Sequence, residues 1–97
     1  MQSEPQPLVH DTENQRFVRP MRPSDAFVEY HWKGDQMILH HIEIDPSLRG
    51  SGFGARFACE VLEQLQDSLL EIRLTCPFLR QVAKTRVEWR RKFFQES

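Results

Sequence analysis

The chain lacks the features that would tie it to a membrane, a disulfide scaffold or a metal. Its 97 residues include two cysteines, and no apolar run approaches the ~20 residues that a membrane-spanning helix needs. Two cysteines cannot build a disulfide framework, and no Cys/His spacing is typical of zinc. The net charge of −1 provides no overall basic field for nucleic acid. We therefore expect one small, reduced, cytoplasmic domain that binds neither a metal nor a membrane.

The N-terminal segment is poor in apolar residues. Residues 1–13 contain no Lys or Arg and no signal-peptide core. Within residues 1–14 the aliphatic residues are Leu8 and Val9, which predicts a flexible leader ahead of a domain spanning residues 15–97. A domain of this size buries only about 60–65% of its unfolded surface, so an open groove or a partner surface is expected rather than an enclosed pocket.

The middle of the chain carries three strand patterns, at residues 15–21, 26–33 and 36–44. The second and third are joined by a Gly-containing turn, which predicts an antiparallel meander. From Phe53 to about Leu69 the apolar period becomes helical, and residues 71–75 then predict a short strand. A strand reached through a helix is expected to pair in parallel with the third strand.

A proline opens the last helical segment, since proline favours the first helical position and Cys76 directly precedes Pro77. The predicted fold is therefore α+β, with a mostly antiparallel sheet in the order β-β-β-α-β-α.

A glycine-rich loop, Arg49-Gly50-Ser51-Gly52-Phe53-Gly54, lies between the third strand and the first helix. Glycine permits positive φ, and the first turn of a helix carries unpaired N–H groups and partial positive charge. This combination predicts a phosphate or pyrophosphate site. A plain loop capped by Ser51 is the alternative. The loop lacks the Gly-Lys-Ser/Thr end of a Walker loop and the spacing of the dinucleotide fingerprint.

The same loop resembles the acyl-CoA pyrophosphate loop of the GNAT N-acetyltransferase superfamily, Arg/Gln-x-x-Gly-x-Gly/Ala. With His41-Ile42-Glu43-Ile44 before it and Cys76-Pro77-Phe78 after the last strand, the chain is similar to the very small single-domain branch of that superfamily. The likeness covers roughly residues 13–90. One departure is at residues 85–89, where the branch usually has Arg-His-Pro-Glu-Tyr and this chain lacks the His and the Pro.

The resemblance implies a minimal GNAT-like fold that binds acetyl-CoA or another acyl-CoA and transfers the acetyl group to an amine. The arm of the cofactor would lie between two splayed parallel strands and bond to the backbone of Ile42 and Ile44. The pyrophosphate would lie on the loop residues Arg49, Gly50, Ser51, Gly52, Phe53 and Gly54. The strands that shape the acceptor site in larger GNATs are absent, which implies an open acceptor side suited to a peptide or protein amine. The protein would be a monomer or a dimer, and a non-catalytic CoA-binding or interaction module is the alternative.

Two residues are candidates for the chemistry. Cys76, at the start of a helix where a thiolate is favoured, has two open roles, as an acyl-accepting nucleophile or as an acid for the departing CoA thiolate. Its alternative is an inert buried residue. His41 is the candidate general base, against a plain strand histidine, with Glu43 acting through a water as a second option.

The last eighteen residues hold six of the thirteen basic residues. Three interpretations are open: a site for the 3′-phosphate of CoA, a nucleic-acid surface, and a solvated amphipathic helix. The residues concerned are Arg80, Lys84, Arg86, Arg90, Arg91 and Lys92.

Overall fold

The computed structural model describes residues 7–94. One sheet contains all five strands in the order β1-β2-β3-β4-β5. The strands are β1 (Val9–Asp11), β2 (Arg16–Arg19), β3 (Ala26–Lys33), β4 (Gln36–Glu43) and β5 (Glu71–Leu74). A 3₁₀ turn (Pro46–Leu48) precedes α1 (Phe53–Leu65), and β5 is followed by α2 (Pro77–Ala83) and α3 (Val87–Phe93). No helix within residues 7–94 combines the length and the apolar character needed to cross a membrane.

The α+β class is as predicted, but the element order differs. Within residues 7–94, four strands precede α1, not three, and two helices follow β5. The additional strand, β1, comes from residues assigned to the leader and pairs antiparallel with β2. It is held by His10, whose ring stacks on Phe17 with 4.3 Å between centroids and whose Nε2 lies 2.7 Å from the Tyr30 hydroxyl. The sequence did not predict β1 because a strand of three residues is too short to show an alternating pattern of apolar and polar side chains. The first six residues of the expected leader lie outside the described part.

All three helices share one hydrophobic core with a single face of the sheet. The predicted stripe on α1 is buried, at Phe57, Ala58, Val61, Leu62 and Leu65. Burying a Leu or Phe side chain contributes about 1.5–3 kcal/mol, so this stripe accounts for the docking of α1. The indole of Trp89, fully buried, donates a hydrogen bond to Gln66 Oε1 at 2.7 Å and so fastens α3 beside the end of α1.

A β-bulge in β4 decides which side chains reach the core. Leu39 pairs with Tyr30 and His41 pairs with Glu29, so His40 has no partner in the register. One extra residue reverses the alternation of faces. Consequently Leu39 before the bulge and Ile42 after it both pack on the core.

The bulge also places both neighbouring histidines on the open face of the sheet. The ring of His40 lies 4.9 Å from that of His31, and the ring of His41 lies 6.4 Å from that of Phe27. Strict alternation along the strand would have put the two histidines on opposite faces.

The predicted parallel pairing with the last strand is confirmed. The β4–β5 register runs from Gln36↔Glu71 to Leu39↔Leu74, and the N–H of Thr75 donates to Leu39 O at 3.0 Å. Beyond this point β4 continues to pair with β3, while the chain after β5 turns into α2. The two parallel strands therefore separate, and a gap opens beside the last residues of β4.

Candidate functional site

The gap between the end of β4 and the start of α2 is a groove of about 320 Å³. It combines strand backbone, the glycine loop and the first turns of two helices. Its lining residues are His41, Ile42, Glu43, Ile44, Arg49, Gly54 and Phe78. Four of these, Ile42, Ile44, Arg49 and Gly54, belong to the predicted cofactor site, and His41 is the predicted base.

Asp45 organises the turn between β4 and the glycine loop. Its carboxylate accepts hydrogen bonds from the Ser47 N–H at 2.8 Å and from the Ser24 hydroxyl at 3.0 Å. The bonds from the Ser47 hydroxyl and amide, with a further bond from Ser24, lower the pKa of the Asp45 carboxyl. The turn is thus anchored to the loop before β3, which fixes where the glycine loop begins.

Positive φ angles explain the glycines at the entrance to α1. Gly50 has φ 81° and Gly52 has φ 88°, a region that other residues rarely adopt. Gly52 is the N-cap residue, whereas the alternative plain-loop interpretation placed the cap at Ser51. The Ser51 hydroxyl accepts the N–H of Phe53 at 3.2 Å. Helical hydrogen bonding starts with Arg56 N–H to Gly52 O at 3.2 Å. The N–H groups of the first turn precede this bond and have no intrahelical acceptor.

Gly54 forms the contact between α1 and the groove. A Cβ at this position would lie 3.2 Å from Ile44 Cδ1 and 3.5 Å from Cζ of Phe78. The helix therefore begins against the groove walls, with room for little more than a hydrogen at this site. The first-turn amides of α1 are brought next to the unpaired edge of β4 as a result.

Phe78 is a groove residue that the sequence reasoning missed. The apolar spacing of Phe78, Leu79, Val82 and Ala83 predicts that all four share one apolar face of α2. In the structure the other apolar residues of that face, Leu79, Val82 and Ala83, are buried, whereas Phe78 is 43% exposed in the groove. The signal that could have singled it out is the Cys-Pro-Phe motif, in which it follows the helix-initiating proline.

His41 and Glu43 form a pair at the open side of the groove. The Nε2 atom of His41 lies 2.9 Å from Oε1 of Glu43, and both side chains are about half exposed. A carboxylate only accepts hydrogen bonds, which assigns the ring hydrogen to Nε2 and leaves a lone pair on Nδ1. The arrangement can take up a proton at Nδ1 while Glu43 holds the ring.

Cys76 lies at the closed end of the gap. It is 7% exposed, belongs to the hydrophobic core, and makes no side-chain capping bond to α2. Its N–H lies 3.4 Å from Leu39 O, the carbonyl that marks the last contact between β4 and β5. Among residues 7–94 the groove lining includes His41 but not Cys76. The structure thus separates the two predicted catalytic residues.

Cys59, the second cysteine, is half-buried in α1. Burial raises the pKa of its thiol, which agrees with a packing residue rather than a reactive one.

Most of the basic residues near the C-terminus make contacts within the protein. Arg86 pairs with Glu63 at 3.0 Å and stacks 4.0 Å from the Trp89 ring centroid. Three others donate to backbone carbonyl oxygens: Arg80 to Leu74, Arg90 to Lys84, and Lys92 to Ser68 and Leu70. The aromatic residues Trp89 and Phe93 are buried. These contacts favour the amphipathic-helix interpretation over a phosphate or nucleic-acid surface.

Comparison with known proteins finds a family that covers the fold and the groove together. Residues 16–92 match the family model described as GCN5-related N-acetyl-transferase. No curated protein sequence matches the chain. The matched range runs from β2 into α3 and includes every residue that lines the groove.

Proposed function

Because the chain belongs to the GCN5-related N-acetyl-transferase family, we propose that it binds acetyl-CoA in the groove and transfers the acetyl group to an amine. One observation carries the proposal. The edge of β4 loses its partner after Leu39, beside the first-turn amides of α1, which have no intrahelical acceptor. A long ligand with a phosphate end and an amide-bearing arm matches both features at once.

The residues present fit each part of such a ligand. The amides of the glycine loop and of the first turn of α1 suit the pyrophosphate, and Arg49 adds a positive charge at the groove. The polar backbone groups of β4 that point away from β3 face the gap. We assign those of Ile42 and Ile44 to the cofactor arm, whose amides would satisfy them. A volume of about 320 Å³ lies within the range of small-molecule sites, roughly 300–1,000 Å³.

His41 is the proposed base for the acceptor amine. When bound, the cofactor supplies an activated acetyl thioester. The neutral amine nitrogen would form a bond to the acetyl carbon, the carbon–sulfur bond would break with release of the CoA thiolate, and the excess proton of the amine would pass to Nδ1 of His41. Oε1 of Glu43, at 2.9 Å from Nε2, holds the orientation of the ring.

Direct transfer is the route that the burial of Cys76 favours. A nucleophilic thiol must reach the acetyl carbon, and the Cys76 side chain is packed in the core. The test is intact mass spectrometry after incubation with acetyl-CoA. Direct transfer predicts no stable acetyl adduct, whereas an adduct that disappears in Cys76→Ala would establish a cysteine relay instead.

The acceptor is proposed to be a peptide or protein amine. His41 lies on the face of the sheet opposite the core, and the helices of residues 7–94 pack on the core side. A large acceptor can therefore approach His41 without displacing a helix.

Calorimetric titration with CoA tests the cofactor assignment. Gly52→Glu places an acidic side chain at the N-terminus of α1, and we expect the affinity to fall by on the order of a hundredfold. Gly34→Glu is the matched control, because Gly34 also has positive φ (60°) but lies in the β3–β4 turn. No binding by the wild-type protein at millimolar CoA would overturn the proposal. Binding without acetylation of any amine would leave a CoA-binding or interaction module.

A further inference from the structure

We propose that Phe78 is a positioning residue for acyl-CoA, with its ring forming the wall of the groove that faces Ile44 and enclosing the cofactor arm. The proposal rests on the proposed function, since it concerns the same groove. Strand and loop patterns in the sequence give Phe78 no role. The proposal gives it one and names the part of the ligand that it contacts.

The exposure of Phe78 is the first observation. The ring is 43% exposed, while its neighbour Leu79 is fully buried. An aromatic side chain that stays in water within a groove gains free energy when a ligand covers it. The ring therefore offers binding surface that the folded protein itself does not use.

The position of the ring is the second observation. The Cβ site of Gly54 lies 3.5 Å from Cζ of Phe78 and 3.2 Å from Cδ1 of Ile44. The ring and the isoleucine thus flank the same point at the start of α1. Because Gly54 has no side chain, the ring and the isoleucine can both approach the start of α1 closely.

The backbone contacts around α2 hold this wall in place. Phe78 is the second residue of α2, and the residue that caps the helix, Cys76, directs its N–H toward Leu39 O. Leu39 is also the last β4 residue that pairs with β5. The backbone around Leu39, where β4 and β5 separate, therefore also fixes the start of α2 and with it the position of the Phe78 ring beside the gap.

The chemistry of the wall identifies the part of the ligand that it contacts. A phenyl ring and an isoleucine side chain offer no hydrogen bonds and no charge, so they suit methylene and methyl groups rather than phosphates. Those groups belong to the pantetheine arm of CoA. The phosphates are left to the loop amides, and the two ends of the ligand should respond to different substitutions.

The test compares two ligands by calorimetry. CoA contains the arm, whereas adenosine 3′,5′-bisphosphate contains the nucleotide end without it. In Phe78→Ala we expect the Kd for CoA to rise by on the order of tenfold, from loss of the apolar contact of one ring, and the Kd for adenosine 3′,5′-bisphosphate to stay unchanged. Phe78→Leu should restore most of the affinity. Val87→Ala, at an apolar residue of α3 that is 50% exposed, is the matched control and should change neither Kd.

Kinetics with acetyl-CoA provide a second readout. We expect KM to rise in Phe78→Ala in step with the Kd for CoA, and kcat to change less, because the proposed contact is with the arm and not with the reacting atoms. Circular dichroism verifies that the variants are folded.

Three results would overturn the proposal. An unchanged Kd for CoA in Phe78→Ala, with wild-type binding intact, would disprove the contact between Phe78 and the arm and leave the proposed function standing. An equal loss for both ligands would mean that the substitution damages the loop. Absence of CoA binding by the wild-type protein would overturn the proposed function, and this proposal with it.

Discussion

The guanidinium of Arg80 donates a hydrogen bond to the carbonyl oxygen of Leu74 at 3.0 Å, on the outer edge of β5. Thr75 directs its N–H toward β4. The carbonyl of Leu74, in the same peptide group, therefore points away from β4. Lys92 contacts Leu70 O in the same way, at 3.1 Å. In the described part of the chain β5 has one neighbouring strand. Two cationic side chains thus occupy carbonyl groups at an edge that could accept another strand.

Removing both cations should promote self-association. In the double variant Arg80→Met/Lys92→Met, the carbonyls of Leu74, in β5, and of Leu70, just before β5, no longer carry positive side chains that oppose strand addition. We expect a species larger than the wild type in sedimentation velocity at high protein concentration, with unchanged circular dichroism.

The control for this experiment is Lys84→Met/Arg91→Met, which removes the same charge from two exposed residues. Association of both double variants would attribute the effect to net charge. A wild-type sedimentation profile for Arg80→Met/Lys92→Met would mean that the two bonds serve folding alone.

His41→Ala should reduce acetyl transfer while leaving CoA affinity unchanged. Loss of a positioned general base lowers kcat by on the order of 100- to 10,000-fold. The measurement is kcat with an amine acceptor, together with the Kd for CoA. His40→Ala is the control, because His40 lies on the same face but outside the groove lining. Equal losses in the two variants would argue against a specific role for His41.

Acid should weaken the protein through Asp45. Its pKa is lowered in the folded state by the hydrogen bonds from Ser47 and Ser24, so the ionised carboxylate favours the folded state above its unfolded pKa of about 3.9. This contribution is lost as the pH falls through the lower, folded value. Asp45→Asn should therefore lower Tm near neutral pH and make Tm fall less between pH 5 and pH 2.

The control for the pH experiment is Asp35→Asn, an equal charge change at an exposed residue of the β3–β4 turn. It should follow the wild-type pH dependence. Superimposable slopes of Tm against pH for Asp45→Asn and the wild type would show that this carboxylate is not coupled to folding.

Patterns among neighbouring residues were sufficient to predict the elements whose structure follows a local period. The stripe on α1 predicted its buried face because a helical period is a property of consecutive residues. The return to a parallel strand at β5 followed from the helix that precedes it. The boundaries were less accurate, since α1 ends at Leu65 rather than near Leu69.

The candidate site was only partly readable from the sequence. The glycine loop was identified because positive φ angles and a helix start leave a local trace, and Gly50 and Gly52 adopt such angles. Phe78 gave no such trace, because the apolar spacing of α2 is the same whether the ring faces the core or a groove. The separation of Cys76 from His41 depends on how β4, β5 and α2 diverge, which involves residues far apart in the chain.

The sequence by itself determined that the chain would adopt an α+β fold with a glycine loop at the start of a helix. Only the tertiary structure decided which groups share the groove. The bulge at His40 turned Ile42 toward the core and His41 toward the open face. The structure likewise directs the side chains of Arg80 and Lys92 to the carbonyl oxygens of Leu74 and Leu70, contacts that a run of basic residues does not reveal. Periodicity reports how neighbours along the chain alternate, whereas a bulge, a strand separation or an edge contact is set by pairing with distant segments.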